Sequence, residues 1–292
     1  MTLAKIVPKR WRSSKWFFPA LAFVTALVLI AIIVPLALVL PRQSSKTPSA
    51  SVILPLYIYP IDNSSWSPVH QAVKLRPDIK FLIVINPHDG PGEGLVPNEE
   101  YHEAISFLSS YTNVQMLGYV RTGYATRNIS DVTNEVAIYS GWASNSSSLA
   151  MSGIFLDEAP HQYTPDAVSF MKKVDQVVKN SPGLRGTRTI VHNPGTIPDP
   201  RFNETTQDIT VVFEDDYTAW QERKAAVAAL PIARSASSLM INAVPAMEKG
   251  ALKDFVDSLT KISEHLFITT TSVDFYESFA SGWLDFVGQV PS

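Results

Sequence analysis

The 292-residue chain contains no cysteine, which removes disulfides, thiolate nucleophiles and cysteine-based zinc sites together. That absence says little about compartment, because a domain of this size can build a core without staples. No acidic residue occurs in residues 1–46. That stretch holds seven of the 24 Lys and Arg residues, leaving 17 basic against 27 acidic residues, a balance of −10, in the remainder. An acidic globular part argues against a nucleic-acid partner and suits a neutral or cationic one. No Gly-rich phosphate-binding turn follows the first strand-like run, where Pro60-Ile61-Asp62-Asn63 stands instead, and no Gly-x-Ser-x-Gly elbow presents a serine nucleophile. The usual His-rich and Asp-x-Asp-x-Asp-Gly metal spacings are missing too. No metal site and no cofactor are expected.

Charge is also absent from the 25 residues 16–40. At ~1.5 Å per residue that run is long enough to cross a hydrocarbon core. It exceeds the apolar core of a cleaved signal peptide and ends in no small-x-small cleavage site, which favours a signal anchor over a cleaved signal. Five basic residues precede it (Lys5, Lys9, Arg10, Arg12, Lys15) and two follow it (Arg42, Lys46). The positive-inside bias then leaves residues 1–15 as a cytosolic basic tail and sends the rest outward, as a single-pass type II protein at the cell surface. Four glycosylation sequons, at Asn63, Asn128, Asn145 and Asn203, agree with that topology. Residues 41–51, rich in Ser, Pro and Thr, read as a flexible stalk.

Residues 52–292 read as one domain. Eight apolar or β-branched runs recur in it: Val52–Tyr59, Lys80–Asn86, Val114–Val120, Gly153–Asp157, Thr189–His192, Ile209–Glu214, Leu239–Ala243 and Leu266–Thr271. Most gaps carry helix signals. Thr164-Pro165-Asp166 supplies a cap, a first-turn proline and a first-turn acid, and Ala167, Met171, Val174 and Val178 follow on one face. Thr218 to Gln221 has capping-box spacing, Leu252 to Leu259 forms a further stripe, and Ser67-Pro68 starts a short helix. Near-continuous apolar strands alternating with helices predict a parallel sheet closed as a (β/α)8 barrel, with an open doubly wound sheet as the alternative. The gap from His192 to Ile209, with Pro198 and Pro200, leaves little room for a helix and predicts an irregular connection with a short 3-10 turn.

In a barrel the C-terminal strand ends open onto one face. Those ends carry Tyr57 and Tyr59; Asn86, His88 and Asp89; Tyr119, Arg121 and Tyr124; Asp157 and Glu158; His192 and Asn193; Glu214, Asp215 and Asp216; Asn242; and Thr270 with Thr271. Aromatic faces stack on sugar rings, and carboxylates, amides and imidazoles bond hydroxyl groups, so a carbohydrate fits this floor better than an apolar ligand. Two apolar strands end abruptly in acid, at Asp157-Glu158 and at Glu214-Asp215-Asp216. Glycoside cleavage needs such a pair, one protonated carboxyl and one carboxylate. A hard cation held by the five acids is the rival reading, and Asp215 and Asp216 also suit the positive end of a following helix. Asp157 and Glu158 cannot both face the barrel unless the chain leaves strand geometry between them.

The runs Asn86-Pro87-His88-Asp89-Gly90-Pro91-Gly92, Gly118-Tyr119-Val120-Arg121-Thr122-Gly123-Tyr124, Gly153 to Glu158, His192-Asn193-Pro194-Gly195-Thr196 and Phe213-Glu214 occur in the order seen in spherulin-4-like proteins, glycoside hydrolase family 135. The domain resembles that family from about Leu54 to its C-terminal helical region, and the apolar run 16–40 lies outside the resemblance. It implies a (β/α)8 barrel that hydrolyses internal α-1,4 bonds next to N-acetylgalactosamine in galactosaminogalactan, a fungal cell-surface and biofilm polysaccharide. The family's essential acids fall on Asp157, Glu158 and Glu214. The substrate-binding set is expected to include Tyr57, Asn86, His88, Tyr119, Tyr124, His192, Asn193 and Asn242. His88-Asp89 departs from the smaller polar residues of many relatives, which bears on subsites rather than on the reaction. A barrel retained as a non-catalytic glycan-binding surface protein is the alternative. Oligomeric state is not legible.

Overall fold

The structure, a computed structural model, describes residues 47–292 other than Asn63, and for Asn203 and Glu204 the backbone alone. The expected basic tail, the run 16–40 and most of the expected stalk lie outside the described residues. Among the described residues no helix is long and apolar enough to cross a membrane.

Eight strands, β1 (Ser51–Leu56), β2 (Phe81–Ile85), β3 (Val114–Arg121), β4 (Gly153–Asp157), β5 (Thr189–His192), β6 (Ile209–Asp216), β7 (Ser237–Asn242) and β8 (His265–Ile268), pair in sequence order into a closed barrel. Every pairing is parallel, and β1 meets β8 with Ser51 opposite His265. The expected barrel is therefore the fold, and the open-sheet alternative falls. Parallel strands covered on both faces must be apolar on both, and β1 and β2 are buried along their whole lengths. The expected stalk ends sooner than Ser51. Ala50 is buried, its N–H bonds Pro291 O at 2.8 Å, and Arg234 holds Ser49 O at 2.8 Å.

Helices α1 (Ser67–Leu75), α2 (Glu99–Leu108), α3 (Ile129–Asn145), α4 (Pro165–Asn180), α5 (Tyr217–Ala228), α6 (Lys249–Thr260) and α7 (Trp283–Gln289) follow every strand but β5. After β5 there is only a 3-10 turn, Pro200–Glu204, as the prolines of that gap predict. Thr164 Oγ1 caps α4 by accepting from Ala167 N at 3.0 Å. The capping box expected at Thr218 is not used. α5 starts directly from β6, and Asp216 accepts from Ala219 N at 2.8 Å, placing a carboxylate against the positive helix end.

Two glycines set how closely the layers approach. A Cβ at Gly153 would sit 1.9 Å from Thr189 O, and one at Gly118 would meet the Tyr139 ring at 2.6 Å. The bare Gly118 backbone lets α3 lay Tyr139 flat on β3, from where its hydroxyl donates to Ile85 O at 2.9 Å. Strands β2 and β3 are thereby held by a side chain as well as by their ladder.

Candidate active site

Three strand ends supply the centre. Successive strand residues alternate in direction, so Phe155 and Asp157 share the inner face of β4. Phe155 is the register partner of Tyr119 and stacks on it, with ring centroids 6.4 Å apart. One layer above, the Tyr119 hydroxyl donates to Asp157 Oδ2 at 2.6 Å. From the end of β5, Asn193 Nδ2 donates both to Asp157 Oδ1 at 2.7 Å and to Glu214 Oε2 at 2.8 Å. The orientation of that amide is fixed by its other end, where Oδ1 accepts from Gly195 N at 3.0 Å. Two acceptors on one amide nitrogen, with its hydrogens about 120° apart, stand roughly 5 Å from each other.

Glu214 is re-aimed by an irregularity in β6. The pairing with β7 shifts between Val211 and Phe213, leaving Val212 as an extra residue two positions before the glutamate. Bulges of this kind bend a strand and redirect the side chains beyond it. Phe213 then packs outward on Trp220 of α5, ring centroids 5.2 Å apart, and Glu214 turns to the mouth. Its second oxygen, Oε1, accepts from the Tyr276 hydroxyl. Burial raises the Glu214 carboxyl above the ordinary range, hydrogen bonds from Tyr276 and Asn193 oppose the rise, and the nearby Asp157 adds to it. Burial also raises the phenols of Tyr57, Tyr119 and Tyr276, with Asp157 or Glu214 adding to each, so all three stay protonated as donors. Tyr57 sits edge-on between the other two rings, 5.5 Å from Tyr119 and 5.3 Å from Tyr276.

The model of spherulation-specific family 4, Spherulin4, matches residues 51–290. The chain belongs to the Spherulin4 family. Spherulin-4 of Physarum polycephalum is 31% identical over 193 residues, 64% of this chain and 53% of that protein, so the match spans about half of that relative's length. Among solved structures, Aspergillus clavatus Sph3, crystallised in complex with GalNAc, is 38% identical with a TM-score of 0.81, covering 85% of this chain and all of that one.

The remaining expected site residues of this Spherulin4 barrel divide by location. Glu158 leaves strand geometry with φ +48°, a conformation that costs a non-glycine residue about 1–2 kcal/mol. Its carbonyl repays that by accepting from Tyr124 N at 2.6 Å and Thr122 Oγ1 at 2.7 Å. Its carboxylate stands apart from the Asp157–Glu214 pair, 3.9 Å from Arg121 Nε. Tyr124 is half-exposed at the rim, edge-on to His161, its phenol raised by partial burial and by Glu158, Asp157 and Glu214 in turn. Asn86 Oδ1 closes the β2–α2 turn by accepting from Gly90 N at 3.0 Å, and His88 and Asp89 are exposed at its tip. Asn242 ends β7 half-buried, opposite Asp216 in register.

His192 requires a correction. It alternates outward from Asn193, is buried, and bonds Asp175 Oδ1 of α4 through Nε2 at 2.8 Å. Asp175 Oδ2 in turn accepts from Thr206 N at 3.0 Å. This polar clamp ties β5 to α4 and to the connection that replaces a helix, so His192 does not reach the mouth. Asp215 and Asp216 are also diverted, the first to Arg223 at 3.3 Å and the second to the α5 cap. No group of three or more metal-ligating side chains converges among the described residues. Tyr276 is not among the sequence-predicted site residues and lies in the loop beyond β8. The Asp274-Phe275-Tyr276 run was the available signal, an aromatic pair in a loop on the same face. Of the sequons, Asn128 and Asn145 lie exposed at the two ends of α3, and Asn128 Oδ1 accepts from Ser130 N at 3.1 Å. Asn63 and the Asn203 side chain are outside the described residues.

Proposed function

We propose that this protein is an endo-acting glycoside hydrolase that cleaves α-1,4-linked N-acetylgalactosamine in galactosaminogalactan with retention of configuration. The observation that carries the proposal is the single amide of Asn193 bridging Asp157 and Glu214. Two hydrogen bonds of 2.7 and 2.8 Å from one amide nitrogen imply bridged oxygens roughly 5 Å apart, close to the ~5–5.5 Å carboxyl spacing of retaining enzymes and short of the ~6.5–9.5 Å that leaves room for water in inverting ones. The family and the GalNAc bound to Sph3 support the choice of sugar. In an α-linked 2-acetamido sugar the acetamide is cis to the leaving group and cannot attack from behind, so the protein supplies the nucleophile.

In this scheme Asp157, held by Tyr119 and Asn193, attacks the anomeric carbon while Glu214 gives its proton to the departing glycosidic oxygen. A glycosyl ester forms on Asp157. Glu214, now a carboxylate, takes a proton from water, which attacks the same carbon and releases Asp157. The raised Glu214 carboxyl suits the acid role, since it holds its proton nearer to working pH. Glu158, with Arg121 on the rim, bonds substrate hydroxyls or the acetamide. The apolar run 16–40 displays the barrel on the extracellular side, anchored to the membrane.

The test incubates wild-type protein and the Glu214→Gln variant with α-1,4-linked N-acetylgalactosamine oligosaccharides and reads the products by mass spectrometry. Shorter oligomers from the wild type alone are expected. Intact oligomers from both, with binding still measurable, would leave a glycan-binding surface protein.

A further inference from the structure

The connection from β8 to α7 joins the acid to a second cavity. It leaves the barrel at Thr269, lays the Tyr276 hydroxyl on Glu214 and returns at Gly282. Its two ends, Thr269-Thr270 and Ser281-Gly282, line a cavity of about 330 Å³ whose other walls are Val244–Met247 after β7 and Asp285 and Phe286 of α7. This size falls at the lower end of the ~300–1,000 Å³ range of ligand pockets. The two loops are joined beyond the strands by Ala243 N to Thr271 O at 2.9 Å and Val244 N to Thr269 O at 3.0 Å, so the cavity is preformed.

Its walls are of two kinds. Met247 and Leu252 offer apolar surface over a floor of buried Val244 and Phe286, while Thr270, Ser281 and Asp285 offer hydroxyls and a carboxylate. A pyranose has the matching halves, one face of C–H groups and a rim of hydroxyls, whereas a phosphate or other anion would meet Asp285. The cavity opens at the C-terminal ends of β7 and β8, the same end of the barrel as Asp157 and Glu214.

We propose that this cavity is a distal saccharide subsite, holding a pyranose unit of the same chain beyond the unit being cleaved. The proposal rests on the hydrolase reading above. It assigns Asp285 and Thr270 to sugar hydroxyls and Met247 to the ring face, and makes chain length a determinant of cleavage.

The test uses the purified full chain carrying Ala246→Trp, which fills the cavity, or Asp285→Asn, which keeps its shape. kcat/KM is measured on α-1,4-linked N-acetylgalactosamine oligosaccharides of increasing length, with melting temperature as the folding control. For the longest oligomers a loss of about tenfold is expected with Ala246→Trp and about threefold with Asp285→Asn, and none for the shortest oligomers that are cleaved. Equal loss at every length, or no loss at any, overturns the subsite and leaves the hydrolase standing. If the wild type cleaves no length, the hydrolase reading fails instead. Titration of the Glu214→Gln chain with long and short oligomers then judges the cavity alone. Tighter binding of long oligomers that Ala246→Trp abolishes supports the subsite, and unchanged binding overturns it.

Discussion

His192 and Asn193 are neighbours at the end of one strand, each 4% exposed. Asn193 faces the mouth and spans two carboxylates, while His192 faces the wall and clamps Asp175. Burial and residue type do not tell them apart; the side of the strand does. The inner region gathers the groups of the proposed chemistry, with one amide bonded to both acids. The outer region uses an equally polar, equally buried pair to compensate for the helix that β5 lacks. What separates the proposed catalytic network from a structural one here is a single step in the two-residue period of a strand.

The sharpest break of that comparison is Glu214→Gln, for which kcat is expected to fall at least about 10³-fold with binding retained. Its stability effect runs the other way. Burial raises the native carboxyl above its unfolded value, so the glutamate's relative contribution is fully present at low pH and is lost as pH rises through the native value. Measured across pH 4 to 8, the melting temperature of the variant should gain on that of the wild type with rising pH. A gap moving in the opposite direction would show that Glu214 is not destabilised by its burial.

Next come the neighbouring pair. Asn193→Ala should lower kcat/KM about 10²–10³-fold with the fold retained, as loss of a preorganised donor does. His192→Ala should leave kcat per folded molecule within about threefold while unfolding midpoints report a loss of about 2–4 kcal/mol, because a fully buried carboxylate loses its partner. Inactive but stable His192→Ala protein would erase the distinction between the two faces. Gly118→Ala probes the outer face without polar groups. It should remove about 1–3 kcal/mol by displacing Tyr139, with little change in kcat. Smallest is Tyr276→Phe, which removes a hydrogen bond that lowers the Glu214 carboxyl. The alkaline limb of the pH–rate profile should move to higher pH, and a limb that stays put or moves down would take Tyr276 out of the acid's environment.

The barrel was legible because parallel strands buried on both faces must be runs of apolar residues, and all eight runs stand out from their helical gaps. The prolines between His192 and Ile209 made even the missing helix readable. Strand tips also marked Asp157 and Glu214, because two apolar runs ending in acid put carboxylates on one face of a barrel, although Asp215 and Asp216 at the same tip serve α5 instead. Facing direction was harder to read. In His192-Asn193 both residues are plausible sugar ligands, and only the position of Asp175, seventeen residues earlier on α4, reveals which one is taken by the wall. The bulge that re-aims Glu214 lies in the unremarkable sequence Val211-Val212-Phe213 and shows only in the pairing with β7. Tyr276 lies in a loop without periodicity, where the aromatic pair Phe275-Tyr276 is the one local mark.

We propose that Asp157 and Glu214, bridged by Asn193, form a nucleophile and acid pair at retaining distance. Proton NMR of the reducing end, recorded during the first minutes of cleavage of an α-1,4-linked N-acetylgalactosamine oligosaccharide, tests it most directly. The α anomer is expected first, with the β anomer appearing later by mutarotation. A first product in the β configuration would contradict it.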